Sequence, residues 1–485
     1  MNFNITALVP ELFFLCMVLA LMVQSLGSRE WKPPVEKWLP FGACAAFFVT
    51  ITGFHLHGSM FWDVYKVDLM SQFFKIVITF GFYVVVLNAS RQPTLEEGKR
   101  ADYYMLLGFS TLGLMLLASS VELITIYLAL ELASYSMYAV IPLRAKDKGA
   151  AEAGIKYILF GAVATALALY GLSYIMASQH TTYIAELMNK SWSFADQPMA
   201  VVGLSLFLGG MFFKLALFPF HFWCPDVYQG ASNETAAFVA TMPKMGAIVV
   251  LCRLAVLLKP GLEITTILAV LGALSMTFGN LSALAQTDIK RLLGFSSVAH
   301  AGYIMVGLVS GTPEGIGAAA FYGMAYLVMN LLVFWIVSRV ASDGRNLKLN
   351  DLNGLYKKAP VLAFSLAAGA FALVGLPPTM GFMGKFFLIT SAWDHGYNWL
   401  VITLVVNSAI AIYYYLSLFR HAFTEESAPS QAAPPDNGWF ASAGAGMLAA
   451  AVLLIGMVPA PLFNFAINAG KTLYGITVTF GGGGH

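Results

Sequence analysis

The sequence predicts an all-α integral membrane protein of about 14 transmembrane helices, with two inverted five-helix repeats and two broken helices. The first reason is composition, because 59% of the 485 residues are hydrophobic and only 11% are charged. Soluble domains carry about 25% charged residues, so this chain cannot cover a water-facing surface of its size. The second reason is that apolar runs of membrane-spanning length follow one another along the whole chain.

Each predicted span is an apolar run bounded by polar residues or by a Gly/Pro break, since a helix needs about 20 apolar residues to cross the hydrocarbon core. The first run lacks a basic start and a small-residue cleavage pattern, so we expect a retained helix and no signal peptide. The runs lie approximately at residues 7 to 26, 38 to 56, 67 to 88, 102 to 119, 120 to 141, 150 to 178, 199 to 221, 233 to 258, 262 to 284, 292 to 310, 314 to 341, 359 to 377 continuing to 393, 397 to 421, and 439 to 463.

The basic residues in the loops test this number of spans, because Lys and Arg accumulate on the cytoplasmic side of short loops. Alternate assignment of the loops puts seventeen basic residues on one side and five on the other. If one span had been missed or added in error, the loops after it would change sides and the basic residues would be divided more evenly. The asymmetry therefore supports the spans and predicts that both termini lie on the non-cytoplasmic side of a bacterial inner membrane.

Several classes of site are not expected. A net charge of +2 provides no basic face for nucleic acid. The cysteines stand singly, without the paired spacings of metal or redox sites, so no metal is expected. Neither a phosphate-binding glycine loop nor a dinucleotide fingerprint occurs, and no cofactor is expected in this chain. The aromatic residues, 14% of the chain, are expected to be mainly lipid-facing or interfacial.

Ionisable residues inside the spans are the candidate functional residues, because each costs about 2.5 to 3.5 kcal/mol at a helix centre. Four lie near the centres of their spans: Glu131, Lys214, Lys244 and Lys385. Together they would cost on the order of 10 kcal/mol, which favours a functional over a structural interpretation. Lys75 and Lys156 lie nearer the ends of their spans, where a long side chain can also reach the interface.

The signs of these charges suggest a proton relay. Making or breaking an ion pair between a buried amine and a buried carboxylate moves a proton. We predict Glu131 and Lys214 as the pair and Lys244 and Lys385 as the next proton carriers. The pairing is a hypothesis, because sequence determines depth in the membrane but not distance.

Two helix breaks lie beside these lysines. Pro219 follows Lys214, and Gly375-Leu-Pro377-Pro378 precedes Lys385; proline removes a backbone donor and frees carbonyl groups. Corresponding breaks in two halves of a transporter indicate inverted repeats around a site in the middle of the membrane. Here they fall in the seventh and twelfth spans, and an offset of five spans requires the two copies to run in opposite directions.

The spans and breaks together predict four segments. Residues 1–100 contain helices 1–3, residues 101–260 the first repeat with helices 4–8, residues 261–425 the inverted second repeat with helices 9–13, and residues 426–485 the last helix and the C-terminal tail. The run from Gly481 to Gly484 and the final His485 are expected to be a flexible tail.

Two histidines have both a structural and a functional interpretation. His300, in the tenth span, occupies the repeat position that matches Glu131 in the fifth, which favours a proton carrier over a packing residue. His221 follows Pro219 closely and either orients the break or carries protons. Asp226 has a structural interpretation: it lies near the membrane edge and is expected to cap the turn from Cys224 to Gly230.

Three sequence stretches resemble one known family. They are FKLALFPFHFWCPDVYQG at residues 213–230, NLSALAQTDIKRLLGFSSVAH at 280–300 and GLPPTMGFMGKF at 375–386. They are similar to the antiporter-like membrane subunits of NADH:quinone oxidoreductase, respiratory complex I, and the PDVYQG stretch resembles the subunit N group in particular. The resemblance extends over about residues 100 to 420.

This resemblance implies fourteen helices, two inverted repeats, and proton pumping driven by quinone reduction in neighbouring subunits. The functional positions of the family carry over to Glu131 in YLALEL, to Lys214, to Lys244 in TMPK and to Lys385, and more weakly to His300 and Lys156. The expected partners are other membrane subunits, the lipid bilayer and protons, with quinone and NADH handled by other subunits. One departure is the stretch from Ala231 to Thr235, where the family usually has a proline-containing apolar segment.

Three functions remain open on the sequence alone. The first is a proton-translocating subunit of a respiratory NADH:quinone oxidoreductase, an enzyme complex whose redox centres lie in other chains. The second is a subunit of an Mrp-type cation/proton antiporter, which would share the central charges. The third is a structural membrane scaffold. The electron donor, the quinone, the number and direction of protons, and the transport of sodium stay undetermined.

Overall fold

The computed structural model describes residues 5–27, 34–144, 147–425 and 433–476, and this part of the chain is almost entirely helical. A short antiparallel hairpin joins β1 (Gly58–Met60) to β2 (Tyr65–Val67). The helices are α1 (Val9–Leu26), α2 (Val35–Thr52), α3 (Leu69–Ala89), α4 (Arg100–Ser119), α5 (Leu123–Val140), α6 (Lys148–Gln179), α7 (Ile184–Leu187), α8 (Pro198–Leu215), α9 (Trp223–Gly230), α10 (Asn233–Leu254), α11 (Glu263–Leu284), α12 (Ile289–Leu308), α13 (Pro313–Val340), α14 (Leu355–Lys358), α15 (Pro360–Val374), α16 (Met380–Ala392), α17 (Asn398–Phe423), α18 (Trp439–Met457) and α19 (Ala460–Leu473). The described residues also include four short 3₁₀ helices, Ile5–Leu8, Glu97–Lys99, Ala255–Leu257 and Leu349–Leu352.

The predicted fold class is confirmed. In the described part of the chain, 11 helices are long and apolar enough to cross a membrane. The other three predicted spans correspond to α2, to α12, and to α15 with α16, which together form the broken twelfth span. The four predicted segments of the chain stay a prediction, and the tail from Gly481 to His485 lies outside the described residues.

A surface cavity supports the predicted alternation of the loops. Its volume is about 360 Å³, and residues from five separate segments line it, among them Ser59, Val121, Tyr183, Val256 and Leu473. The predicted alternation of the loops puts all five segments on the same side of the membrane. We call this side the hairpin face, because it carries β1 and β2; it is the predicted non-cytoplasmic side.

Helices α10 and α13 form the centre of the molecule. Each contains an apolar stretch of 18 residues that is completely buried, and α10 packs against α13, α3 and α4. A helix that is apolar on every face is stable only where other helices surround it. The polar residues within these buried stretches are therefore shielded from lipid, and their side chains must find partners inside the protein.

Both predicted helix breaks are present. Helix α8 ends where Ala216 adopts a left-handed conformation with φ 61°, and α15 ends where Gly375 does so with φ 87°. The seventh predicted span, 199 to 221, therefore extended the helix too far. The last predicted span, 439 to 463, also ran too far, because α18 stops at Met457 and a separate helix, α19, begins after Pro459.

Candidate functional site

All four centrally placed ionisable residues are buried inside the helix bundle. Their exposed fractions lie between 1% and 6%, and both His300 and His221 are 1% exposed. The four residues lie on different helices: Glu131 on α5, Lys214 on α8, Lys244 on α10 and Lys385 on α16. The predicted depth of these side chains is thus observed, and their neighbours determine what they can do.

The first helix break provides a partner for Lys244. Because α8 stops at Leu215, the carbonyl group of Leu215 has no helical partner, and Lys244 Nζ donates to it at 2.9 Å. The indole of Trp223 donates to a second carbonyl of this last turn, that of Phe213, at 2.9 Å. The break therefore connects the helix that carries Lys214 directly to the ammonium group of Lys244.

The second break has the same chemistry. Lys385 Nζ donates to the carbonyl oxygen of Val374 at 2.9 Å, immediately before Gly375 ends α15. The same ammonium group lies 4.4 Å from the centre of the Tyr303 ring, close enough for a cation–π contact. In both breaks, a lysine ammonium satisfies a carbonyl group that the interrupted helix leaves free.

A line of hydroxyl groups begins at Lys244. Lys244 Nζ contacts Ser297 Oγ, which lies 2.7 Å from the Tyr326 hydroxyl and 3.1 Å from the Tyr228 hydroxyl. Each hydroxyl group can donate and accept at the same time. A proton given up by Lys244 therefore has hydrogen-bonded acceptors next to it on α12, α13 and α9.

His300 continues this polar interior toward α17. Its Nδ1 lies 2.7 Å from the Tyr322 hydroxyl, and its Nε2 lies 3.0 Å from the Tyr415 hydroxyl. A neutral imidazole donates from one ring nitrogen and accepts at the other, so both contacts are satisfied without a net charge. The Tyr326 ring centre lies 5.3 Å from that of His300. His300 is thus a hydrogen-bonded link between two tyrosines. It lies beside the line of hydroxyl groups that begins at Lys244.

The expected ion pair between Glu131 and Lys214 is not present in this structure. Glu131 accepts a hydrogen bond from Thr165 at 2.8 Å. Lys214 donates to the Tyr157 hydroxyl at 3.3 Å and lies 5.7 Å from the centre of the Tyr138 ring. Neither residue belongs to any ion pair within the described ranges. Lys214 is held by hydroxyl and ring contacts, so its charge has no direct counterion here.

Lys156 lies at the edge of the bundle. Its side chain is 36% exposed and forms ion pairs with Glu152 and Asp226, each at 2.7 Å. Asp226 also pairs with Arg291 at 2.6 Å, and these residues line a cavity of about 300 Å³ that is open on the predicted cytoplasmic side. The expectation that Asp226 caps a turn was therefore wrong, because its carboxylate bridges α6 and α12.

The Asp226 bridge predicts a pH-dependent contribution to stability. Burial alone raises the pKa of the Asp226 carboxyl. The bonds from Lys156 and Arg291 together lower the pKa by more than burial raises it, so the net pKa lies below its usual value. A depressed carboxyl pKa stabilises the fold above the unfolded-state pKa of about 3.9, and this contribution disappears as pH falls through the folded-state value. Asp226→Asn is expected to lower the thermal unfolding temperature of the full chain in detergent at pH 7. The variant and the wild type are expected to converge in strong acid. A difference that is independent of pH would contradict an ionic origin.

His221 lies in an aromatic pocket beside the first break. Its ring stacks on Phe218 with centres 5.4 Å apart and contacts Phe278 at 4.7 Å. Its Nδ1 has no hydrogen-bond partner in the described part of the chain. No hydrogen bond of the described residues connects His221 to Lys214 or Lys244. The geometry fits the role of orienting the break, and the role of proton carrier stays a prediction.

Comparison with known proteins determines the family. A family model described as NADH:quinone oxidoreductase/Mrp antiporter matches residues 120–411. A relative from Solidesulfovibrio magneticus named NADH-quinone oxidoreductase subunit N 2 is 59% identical over 474 residues, which cover 97% of this chain and 100% of the relative. The chain belongs to the subunit N group of this antiporter-like family. A protein of the same name from Opitutus terrae is 40% identical, and the match covers 97% of this chain and 98% of that protein.

Solved structures of the antiporter-like family agree with this fold. A chain of respiratory complex I from Thermus thermophilus with bound aureothin superimposes with a TM-score of 0.82 and 30% identity, covering 95% of this chain and 100% of that one. A chain of the Mrp complex from Dietzia sp. superimposes with a TM-score of 0.81 at 20% identity, covering 98% of both chains. The second likeness concerns the fold alone.

The stretch that departs from the usual family sequence forms a regular helix start. Ser232 Oγ accepts a hydrogen bond from the backbone N–H of Thr235 at 3.2 Å and thereby caps α10. Gln92 donates to the same hydroxyl at 2.7 Å. The geometry of the entry to α10 is therefore ordinary. The side chain of Asn233 is fully buried, so the glycosylation sequon at residues 233–235 is not accessible in this fold.

The sequence did not reveal the buried tyrosines of this family member. We expected the aromatic residues to be mainly lipid-facing or interfacial, yet several are less than 2% exposed and surround the lysines and His300: Tyr157, Tyr228, Tyr303, Tyr322, Tyr326 and Tyr415. For all of them except Tyr228, one available signal was their position within long apolar spans, away from the interfaces where tyrosine normally accumulates. A hydroxyl group at that depth requires a partner inside the protein.

Proposed function

We propose that the chain is a proton-translocating membrane subunit of a respiratory NADH:quinone oxidoreductase. Two relatives that are named as subunits of an NADH-quinone oxidoreductase are 59% and 40% identical to this chain over nearly its whole length. Redox chemistry in other subunits drives the movement of protons through this one, which itself carries no redox centre. Its partners are other membrane subunits of the complex, and it lies in a bacterial inner membrane with both termini on the non-cytoplasmic side.

One observation carries the proposal: two buried lysines hold the carbonyl groups of two helix breaks beside a cluster of hydroxyl groups and one imidazole. Such broken helices in transporters form ion sites near the middle of the membrane, where unwound backbone coordinates the ion. Here the backbone carbonyl of Leu215 binds the protonated amine of Lys244 at 2.9 Å. The stability of the charged amine depends on that contact.

This dependence couples the conformation of the break to the proton. When α8 and α9 move and withdraw the Leu215 carbonyl, the Lys244 ammonium loses one of its few acceptors and keeps its contact with Ser297. The proton then passes to Ser297 Oγ while the proton of Ser297 moves on to a tyrosine hydroxyl, whose own proton passes to the next acceptor. One proton enters the line and one leaves it. At the second break, withdrawal of the Val374 carbonyl likewise removes the backbone acceptor of the Lys385 ammonium.

Replacement of Lys214 tests the proposal. Lys214→Ala removes the ammonium group that faces Tyr157 and Tyr138 at the end of α8, and the rate of proton pumping is expected to fall by roughly tenfold or more. The measurement is made on the assembled complex in proteoliposomes, where acidification and NADH oxidation are recorded together. Removing a buried charge also removes an insertion cost of about 2.5 to 3.5 kcal/mol, so assembly is expected to be retained.

Lys357→Ala is the matched control, because Lys357 lies at the surface in an exposed pair with Glu425. It is expected to pump like the wild type. An unchanged ratio of protons to electrons in Lys214→Ala would contradict the proposal and favour a structural scaffold. Sodium-dependent proton flux in vesicles that contain neither NADH nor quinone would instead indicate an Mrp-type antiporter.

A further inference from the structure

A second buried ion pair lies outside the groups described so far. Glu11 on α1 pairs with Lys75 on α3, and their side chains are 5% and 0% exposed. The Tyr65 hydroxyl donates to Glu11 Oε1 at 2.7 Å, and Lys75 Nζ lies 5.4 Å from the centre of the Tyr65 ring. Beyond these contacts, Glu11 Oε2 and Lys75 Nζ have no hydrogen-bond partner among the described residues.

Stability does not explain this pair well. Desolvation of two charges generally offsets most of their attraction, and apolar residues of similar volume are often equally or more stabilising. A pair whose second carboxylate oxygen lacks any further donor is an especially poor contributor. Transfer of a proton from an amine to a carboxylate converts two charged groups into two neutral ones, and neutral groups do not carry the desolvation penalty of ions.

The pair lies next to a polar exit toward the hairpin face. Asp68 accepts two hydrogen bonds from Arg253, both at 2.9 Å, and Arg253 also donates to the carbonyl oxygen of Ala118 at 2.7 Å. Asp68 and Arg253 line the cavity of about 360 Å³ on that face. A backbone bridge joins Tyr65 to Ser120, two residues beyond Ala118. Tyr65 therefore contacts the buried pair through its side chain, and its backbone lies beside residues that line the cavity.

The depth of Lys75 follows from two contacts between α3 and α10. At the deep contact, which is farther from the hairpin face, a side chain on Gly81 would meet Met242. At the outer contact, nearer that face, Asp68 binds Arg253. The two helices therefore run antiparallel. With a rise of 1.5 Å per residue, Lys75 lies about 9 Å outward from the deep contact and Lys244 about 3 Å outward. Lys75 is therefore about 6 Å closer to the hairpin face than Lys244.

From this arrangement we infer that Glu11 and Lys75 form a proton-release site, through which protons from the lysine centre reach the cavity on the hairpin face. The inference rests on the proposed function. It extends the proton path to α1 and α3, two helices that carry none of Lys214, Lys244, Lys385 and His300. Lys75 is the inner group of the site and Glu11 the outer group, with Tyr65 as the link to the cavity.

Each step conserves one proton. The Lys75 ammonium transfers a proton to the Glu11 carboxylate, leaving a neutral amine and a neutral carboxylic acid. Glu11 then gives its proton to the Tyr65 oxygen while the proton of that hydroxyl leaves toward the cavity, and the carboxylate is restored. The Lys75 amine then takes up the next proton from the direction of Lys244, and the ammonium is restored. One proton enters at Lys75 and one leaves at Tyr65.

Two variants of the complete complex separate this role from a structural one. Lys75→Arg keeps the positive charge and the pair with Glu11, but a guanidinium does not deprotonate in proteins. The double variant Glu11→Leu with Lys75→Met replaces the pair by apolar side chains of similar length. Proton transfer at this site is expected to slow on the order of 10²-fold in both, so that acidification by proteoliposomes falls although the complex assembles.

A structural pair predicts the opposite result, namely wild-type pumping by Lys75→Arg and by the double variant. Wild-type acidification by either variant, when it has assembled in normal amount, overturns the inference, as does failure of both to assemble. Lys190→Arg, at an exposed lysine of the same face, controls for the substitution itself. Lys244→Met, measured in parallel, separates the two proposals: normal pumping by Lys244→Met rejects the proposed function, whereas reduced pumping there with normal pair variants rejects only this inference.

Discussion

Lys244→Met is expected to reduce proton pumping by the assembled complex more than any other single substitution of a buried lysine. Among the lysines that the structure describes, Lys244 alone contacts both a helix break, through the Leu215 carbonyl, and the hydroxyl line, through Ser297. Removal of a positioned proton donor generally slows the transfer on the order of 10² to 10⁴-fold. The measurement is the initial rate of acidification in proteoliposomes, recorded together with the rate of NADH oxidation.

Stability is not expected to confound this result. Loss of the ammonium group leaves the Leu215 carbonyl without its donor, which costs about 1 to 3 kcal/mol. Removal of a charge from the membrane interior returns about 2.5 to 3.5 kcal/mol, so the two effects nearly cancel. Lys357→Met at the exposed surface serves as the control for the same substitution. Normal acidification by assembled Lys244→Met would exclude Lys244 from the pathway.

The fold and the depth of the charged residues were predictable because both follow from the length and composition of apolar runs. A membrane leaves a chain few solutions, since every backbone group in hydrocarbon must be bonded within a helix. A lysine at the middle of such a run, as at Lys214 or Lys385, is therefore buried regardless of the tertiary packing. The breaks were predictable for the same reason, because proline and glycine interrupt otherwise continuous runs.

The partners of those residues were not predictable. Whether Glu131 meets Lys214 depends on the rotation and separation of three helices, and the structure places Thr165 and Tyr157 next to them instead. Glu11 passed unnoticed in the first span, although Lys75 in the third was recognised, because a pair between distant helices has no local sequence pattern. The sequence determines how deep a side chain lies, whereas the packing of neighbouring helices determines what it touches.

Gly381→Ala is expected to have a large effect on assembly, because the backbone of α15 lies directly against α16 at this residue. A methyl group on Gly381 would lie 1.8 Å from the carbonyl oxygen of Ala372 and 2.8 Å from the sulfur of Met329. The obstructing atom at 1.8 Å belongs to the backbone and cannot rotate away, so the two half-helices must separate. Overpacking of this kind costs about 1 to 3 kcal/mol and sometimes more. The same displacement withdraws the Val374 carbonyl from Lys385, which couples a packing defect to the proposed proton site.

Quantification of assembled complex in membranes, followed by acidification per assembled complex, measures both effects. Gly446→Ala in α18 is the matched control, since nothing lies within 4 Å of the added methyl group. Alanine has a higher helix propensity than glycine by about 0.8 to 1 kcal/mol, so this control is expected to assemble at least as well as the wild type. Equal assembly and equal pumping of the two variants would mean that the half-helices can separate without consequence. In that case the close approach of α15 and α16 would not hold Lys385 against its carbonyl partner, and the coupling between break and proton would lose its structural basis at the second site.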